Sequence, residues 1–398
     1  MVVDSPHPPP SDSLNSNPSA SAAQSERTHE KPHALNLSEK EWEEWFVAQG
    51  QPRFRAKEMD TWLFQKAILD PLLYTSMPAP LRSLLAYSFD FSLPTVDSSI
   101  PSGDGSQKIL FKTKESQFFE SVLMPTENRV TLCVSSQIGC KMACTFCQTG
   151  KMGFWRHLSQ AQILGQVMVG NQILKELNQN RKITNVVFMG MGEPLDNLKS
   201  VIGACQKLTS PQAFGLSKHK VTVSTSGIVP ALKELGDAVD ITLAVSLHGA
   251  TDAVRSQIMP INKTYPLAQL KEALLNFPSS SRHGITFEYI LMDGVNDTLT
   301  DAKHLVKFLH GLKAKVNLIP MNRHPGSPHQ GSSVEAIRAF QSYLTTRSIP
   351  APVRYSKGQD ISGACGQLAA KRKEELDLPP RKVALARKKE SREAFPAI

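Results

Sequence analysis

The stretch Gly139-Cys140-Lys141-Met142-Ala143-Cys144-Thr145-Phe146-Cys147-Gln148-Thr149-Gly150 places three thiols at i, i+4 and i+7. This C-x3-C-x2-C spacing lets one loop present three corners to an iron-sulfur cube, whose protein ligands are thiolates. Three local cysteines leave one iron of a 4Fe-4S cluster without a protein ligand. An open coordination position is what separates a catalytic metal site from a structural one. Zinc with Cys133 as fourth ligand is the competing reading, although structural zinc ligands usually come as two close pairs on separate knuckles.

With Phe146 just before the last cysteine, the spacing resembles the signature of the radical S-adenosylmethionine (SAM) enzymes. The resemblance implies that the open iron holds the amino and carboxylate groups of SAM, whose reductive cleavage yields a deoxyadenosyl radical. In such a site the cofactor does the hard chemistry and the protein positions it.

A chain of 398 residues has room for one large catalytic domain with smaller additions. Hydrophobic content of 40% and charged content of 20% describe a soluble globular protein with a substantial core. No apolar run approaches the roughly 18 residues of a membrane span. Six cysteines, three of them in one motif, suit a reducing cytosol better than a secreted disulfide scaffold. A net charge of +9 and a pI near 9.2 favour polyanionic partners such as nucleic acid. Part of that excess lies in the tail, at Lys371, Arg372, Lys373, Arg381, Lys382, Arg387, Lys388, Lys389 and Arg392.

Residues 1–34 are rich in Pro and Ser without apolar periodicity and are expected to be a disordered extension. They lack the hydrophobic core of a secretory signal. One arginine against four acidic residues does not fit a mitochondrial leader either, so the expected location is cytoplasmic, with a plastid address left open. Residues 35–92 read as a small helical N-terminal domain. Ser38 and Glu41 form a capping box ahead of Trp42 and Trp45, and Met59, Trp62 and Leu63 mark a second apolar face. Arg53, Arg55 and Lys57 surround Phe54, a candidate RNA contact whose plainer reading is a solvated helix start. Residues 93–125 read as a β-hairpin linker, with Leu110, Phe118, Phe119 and Val122 as packing residues.

From 126 to 348 strands alternate with helices. Val130–Val134, Asn185–Met189, Lys220–Ser224, Ile241–Ser246, Ile285–Leu291 and Lys315–Ile319 are the expected strands. Ile163, Val167, Gly170, Leu174 and Leu177 form one helix stripe, and Leu305, Leu309 and Leu312 another. The pattern predicts parallel pairing with right-handed crossovers, an α/β fold of six units: a partial (β/α)6 TIM-like barrel. Chemistry in such barrels gathers at the C-terminal strand ends, where the cysteine loop lies. The other strand ends carry Gly190-Met191-Gly192-Glu193-Pro194, Ser224-Thr225-Ser226-Gly227, Ser246-Leu247-His248 and Asn322. Taken singly, each is more often a cap or a satisfied core group than a ligand. Cys133 lies in the first strand, and Cys365 lies in the small-residue loop Gly363-Ala364-Cys365-Gly366-Gln367-Leu368 of segment 349–370, where a thiol stays accessible. Cys205, on an apparent helix, reads as buried and inert.

These motifs in order, from Thr131-Leu132-Cys133-Val134-Ser135-Ser136-Gln137-Ile138-Gly139-Cys140 to Ala364-Cys365-Gly366-Gln367-Leu368, resemble the RlmN/Cfr family of radical SAM RNA methyltransferases. The match spans about residues 38 to 370, and leaves the extension and the basic tail 371–398 outside it. The resemblance implies methylation of an adenine carbon, C2, in rRNA of the large-subunit peptidyl-transferase region and in tRNA 3' of the anticodon. It implies one 4Fe-4S cluster on Cys140, Cys144 and Cys147. The implied SAM ligands are Gly192, Glu193, Ser224, Ser246, Leu247, His248 and Asn322. Cys365 is the implied methyl carrier, Glu120 the proton acceptor and Cys133 the thiol that resolves the enzyme–RNA adduct. Also implied are an electron donor of flavodoxin or ferredoxin type and a monomeric chain. Asn322 is followed by Arg323 where the family usually has proline, and the intact Gly192-Glu193-Pro194 looks more like the C2-methylating branch than the C8 branch. C8 methylation and a zinc-stapled RNA-binding protein without turnover are the alternatives.

Overall fold

A computed structural model describes residues 31–177, 180–278, 284–324 and 326–370. The basic tail lies outside the described residues. Of the expected disordered extension only 31–34 lie inside them, and Ala34 is already buried there.

The strands are β1 (Thr95–Pro101), β2 (Gln107–Lys112), β3 (Phe118–Thr126), β4 (Arg129–Cys133), β5 (Gln137–Gly139), β6 (Phe154–His157), β7 (Asn185–Phe188), β8 (Val221–Thr225), β9 (Thr242–Ser246), β10 (Ile285–Leu291) and β11 (Ala314–Pro320). Among the described residues, one sheet runs β1-β2-β3-β4-β7-β8-β9-β10-β11, and β5 pairs with β6 alone. From β4 to β11 every pairing is parallel, and all six expected strands are present within two residues of their expected ends. Buried positions run through β10 without alternation, as they do in a parallel strand covered on both faces. The outer strands β4 and β11 do not pair with each other, so the barrel is open. It curls enough that side chains from all six strands line one cavity.

The expected hairpin is β2–β3, in register at Leu110 and Glu120. It is more than a linker, because β3 continues antiparallel onto β4 and so extends the barrel sheet. β1 adds a further edge strand that the sequence did not announce, since Thr95–Pro101 is exposed at most positions and lacks apolar alternation.

Ahead of the sheet, Ser38 and Glu41 form the predicted capping box of helix Glu39–Ala48. Trp42 and Trp45 pack on Phe89 at 4.8 and 5.2 Å between ring centroids. Helix Arg55–Asp60 passes into a π-helical turn, Thr61–Gln65, and Met59, Trp62 and Leu63 are buried as expected. Lys207 Nζ lies 2.6 and 2.8 Å from the two carboxylate oxygens of Asp60, a buried ion pair that fastens this region to barrel helix Leu198–Thr209. One hydrophobic core runs from Trp42 through the sheet to Phe340. In helix Gln160–Glu176 the predicted stripe is buried from Ile163 to Leu174. Leu177, at the C-cap, is exposed because the helix ends there.

Beyond β11 the chain lies along that strand's free edge. Val316 N–H donates to the Pro350 carbonyl, Leu318 N–H to Pro352 and Arg354 N–H to Leu318, at 2.7–3.0 Å. From there it leads directly to Cys365. Among the described residues no helix is long and apolar enough to cross a membrane.

Candidate functional site

The cysteine loop leaves β5 and returns through helix Gln148–Lys151 to β6, so a two-stranded ribbon closes it at its base. The return passes so close that a Cβ at Gly139, which has φ +72°, would collide with the Gly153 carbonyl; only glycine fits. Cys140, Cys144 and Cys147 line one chamber of about 150 Å³. Among the described residues no three Cys, His, Asp or Glu side chains converge on a single metal ion. The thiols instead form walls around the chamber. Burial pushes Cys140 up to about 12, and pushes Cys144 well up, with Cys147 and Cys140 adding to it and Arg255 opposing. Burial and mutual repulsion thus disfavour the Cys140 and Cys144 thiolates, which a positive centre would stabilise.

The strand ends meet at the same chamber. Gly192, with φ +100°, lets the backbone pass Gln137, whose side chain a Cβ would approach to 2.5 Å. Glu193 is buried. Its Oε1 accepts from Thr225 Oγ1 (2.7 Å) and Leu195 N–H (3.0 Å), and its Oε2 from Ser226 N–H (2.7 Å). Burial raises its carboxyl, against those hydrogen bonds. Ser224, Ser246 and His248 also line the chamber. His248 Nδ1 accepts from Ile290 N–H at 3.0 Å, and the ring stands edge-on to Phe146 at 4.8 Å. Burial, with Arg255 nearby, pushes its imidazole down to about 3, so it is neutral.

Cys365 hangs in a loop held on every side. Gln148 N–H donates to Gly366 (2.8 Å) and Thr149 Oγ1 to Leu368 (2.8 Å). Asn322 Nδ2 donates to the carbonyl of Cys365 itself (3.1 Å) and Gln367 Nε2 to Arg323 (2.7 Å). Upstream, Asp104 accepts from Gly358 N–H (2.9 Å), and Asp360 accepts from Ser102 Oγ and from Gly103 N–H. Downstream, Glu120 Oε2 accepts from the N–H groups of Ala369 (3.0 Å) and Ala370 (3.2 Å), while its Oε1 lies 3.0 Å from Lys108 Nζ. The hairpin β2–β3 and the turn before it therefore grip the loop on both sides of the thiol.

Cys365 also borders a second cavity, of about 740 Å³, on the inner face of the sheet, with Cys133. Its side chain is open to these spaces although it sits deep in the protein. Burial and then the charge of Glu288 push its thiol up to about 11. Burial raises Cys133 too, and the next influence on it is Cys365 rather than the triplet.

Of the residues singled out from sequence, the three loop cysteines, Gly192, Glu193, Ser224, Ser246, His248 and Cys365 line the smaller chamber, and Cys133 lines the larger with Cys365. Three stand behind the walls. Leu247 is buried and its N–H donates to the Glu288 carbonyl (3.0 Å); Asn322 reaches the Cys365 backbone; Glu120 lines neither space and is locked between Lys108 and the loop. Cys205 is buried on its helix, as expected. Of the basic group around Phe54, Arg55 is engaged by Glu58 (2.5 Å) and the Ser76 carbonyl (2.9 Å), which leaves Arg53 and Lys57 exposed.

The radical SAM superfamily profile matches residues 134–309. A dual-specificity RNA methyltransferase RlmN of Geotalea uraniireducens is 44% identical over 339 residues, 85% of this chain and 97% of that one. Its counterpart in Dichelobacter nodosus is 42% identical, over 86% and 95%. The chain belongs to the RlmN family. A crystal structure of a radical SAM methyltransferase from Sphaerobacter thermophilus covers 85% of this chain and all of its own at TM-score 0.79 and 39% identity, so the fold is the radical SAM fold. Membership in the superfamily brings SAM and an iron-sulfur cluster with it.

Two residues of this RlmN-family site were missed in the sequence. Buried Arg255 donates through Nη2 to the Ser226 (2.6 Å) and Ser246 (3.3 Å) carbonyls and through Nε to Leu247 (3.2 Å), stapling two strand ends together. Its signal was hidden, because an arginine in a short polar helix reads as surface. Glu288, buried in β10, was the reverse case: a lone carboxylate in an apolar strand is an anomaly that could have flagged it.

Proposed function

We propose that the chain transfers a methyl group from SAM to C2 of adenosine in RNA, in large-subunit rRNA of the peptidyl-transferase region and in tRNA 3' of the anticodon. The observation that carries this reading is the double position of Cys365, which borders the chamber of the cysteine triplet on one side and the sheet cavity with Cys133 on the other. A methyl carrier must meet its donor and its acceptor in turn, and a thiol in a shared wall serves both. Around the larger cavity, Arg129, Lys315, Arg354 and Lys357 offer cations for phosphate, and exposed Tyr355 offers a ring for stacking.

The donor set fits one 4Fe-4S cluster: three free, mutually crowded thiols around one chamber, each free to bind a different iron. A zinc reading would need Cys133 in the triplet's chamber, whereas it lines only the sheet cavity, with Cys365. When bound, the cluster and SAM supply the methyl sulfonium and the one-electron chemistry. Cys140, Cys144 and Cys147 would hold the cluster. Glu193 would receive the SAM ammonium, with Gly192, Ser224, Ser246, Leu247, neutral His248 and Asn322 around it. Cys365 carries the methyl group, and Cys133, across the larger cavity, displaces it from the modified base. Glu120 takes the ring proton; it can do so only after the loop at Ala369 and Ala370 has moved off it.

The test is modification of unmethylated rRNA and tRNA by the cluster-loaded protein, read by nucleoside mass spectrometry. Wild type should yield the C2 isomer. Cys365→Ala should give neither methylated protein nor product, while Cys133→Ala should accumulate a covalent protein–RNA adduct through Cys365. A C8 product, an adduct mapped to Cys133, or turnover by Cys365→Ala would overturn the assignment.

A further inference from the structure

Methylation of each base through Cys365 requires two protons to be removed: one from the Cys365 thiol when it is loaded, one from the adenine ring. Glu120 is behind the loop, paired with Lys108. A second buried carboxylate stands in front of it. Glu288, at the centre of β10, borders both the cysteine chamber and the sheet cavity, and Cys365 is among the few residues that share this position. On β9 the register partner of Glu288 is Ser246, and on β11 it is Asn317, whose Nδ2 donates to Glu288 Oε1 at 2.8 Å. Lys315 and Arg354 act on it as charges without forming a salt bridge, and Cys365 lines the same two cavities and feels its charge.

We propose that Glu288 is the proton acceptor for the Cys365 thiol during methyl loading, an inference that rests on the methyltransferase reading. The S–H bond breaks and the proton forms an O–H bond on Glu288. The sulfur uses the freed electron pair to bond the methyl carbon, and the sulfonium donor keeps the pair of the bond it loses. Burial pushes the Glu288 carboxyl up to about 7, with Asn317, Lys315 and Arg354 opposing. At neutral pH it is therefore poised between its two states, as a general base should be. The thiol, up at about 11, holds its proton more tightly than Glu288 would. Transfer must accompany C–S bond formation rather than precede it. Asn317 occupies only Oε1 of the carboxylate, so Oε2 is the oxygen that would take the proton, while the thiol itself is hydrogen-bonded to the Ser356 side chain.

The experiment is alkylation of Cys365 by iodoacetamide across pH in the cluster-loaded protein without SAM, followed by peptide mass spectrometry. In wild type the rate should fall as pH drops through about 7. Glu288→Gln, which keeps an oxygen for Asn317, should remove that inflection and slow alkylation near pH 8 by roughly 10-fold or more. An unchanged rate would overturn the proposal. So would a faster one, because a carboxylate that only repels the thiolate would release it when neutralised. Cys205, buried on its helix, must stay unlabelled as a check on folding. If it becomes labelled, Glu288→Asp, expected to give an intermediate rate, decides the outcome in place of the Gln variant. Methyl loading from SAM separates this inference from the reading beneath it. Wild type without a methyl group on Cys365 sinks the methyltransferase reading. Glu288→Gln loading Cys365 at the wild-type rate sinks only this inference.

Discussion

The cysteine triplet and the Cys365 loop face one chamber but are built in opposite ways. The triplet comes from one short run of chain, Cys140 to Cys147, closed at its base by the β5–β6 ribbon. Cys365 is held by residues 103, 104, 120, 148, 149 and 322, drawn from the hairpin and the turn before it, the cysteine loop and the end of the barrel. A site made of contiguous residues is robust, since few distant changes reach it. A site assembled from remote clamps depends on the whole sheet being in register, and its freedom can be adjusted from many places. That division suits a fixed cofactor on one side and, on the other, the moving carrier proposed for Cys365.

The sharpest break of this comparison is at the triplet. Cys144→Ala should lose the cluster and all SAM cleavage, because two remaining local thiolates do not hold the cube, while Cys365→Ala should keep its iron. Iron content and anaerobic absorbance read both; an iron-replete Cys144→Ala protein would end the assignment.

A smaller effect is expected at the clamps. Glu120→Ala leaves the buried Lys108 ammonium without its partner, at a cost of about 3–5 kcal/mol in urea unfolding. The Asp104 clamp is titratable. Burial pushes its carboxyl up, but the amides of Gly358 and Ser106 outweigh that and hold it at about 2. A carboxyl depressed on folding adds stability above its unfolded value, near 4, and loses it as pH falls through about 2. Asp104→Asn at neutral pH should mimic that loss. Amide exchange should speed up across 356–367 and stay unchanged in β7–β9. Uniform exchange in both regions would mean that the clamp does not act on the loop.

The smallest effect is expected farthest away, at the N-terminal helices. Neutralising Arg53 and Lys57 should lower the salt slope of RNA binding by up to about one unit per lost phosphate contact. Adding the Arg55 change should do nothing further, because Glu58 and Ser76 already hold it. An unchanged slope would leave these cations as a solvated face.

The same division explains what the sequence made legible. The six parallel strands, the cysteine run and the strand-end motifs are local patterns, and each appears where its periodicity or spacing puts it. Strand β1 is polar and exposed, and β5 is three residues long, so neither carries a pattern to read. Glu120 reads as a solvated strand residue until Lys108, on the adjacent strand β2 and opposite Val122 two positions along, is known to face it. Arg255 and Glu288 act through partners distant in the chain, and spacing says nothing of such partners.

The strip of chain over the free edge of β11 has one more consequence. An uncovered edge strand offers unpaired amides and carbonyls to other chains and invites aggregation, and Pro350 and Pro352 make the covering strip itself a poor template for a further strand. The same strip delivers Cys365. A truncation before residue 350 would therefore remove the proposed methyl carrier and expose a sticky edge in one stroke, so loss of solubility and loss of catalysis should arrive together. To separate them, Cys365 must be changed in place while the strip is left whole.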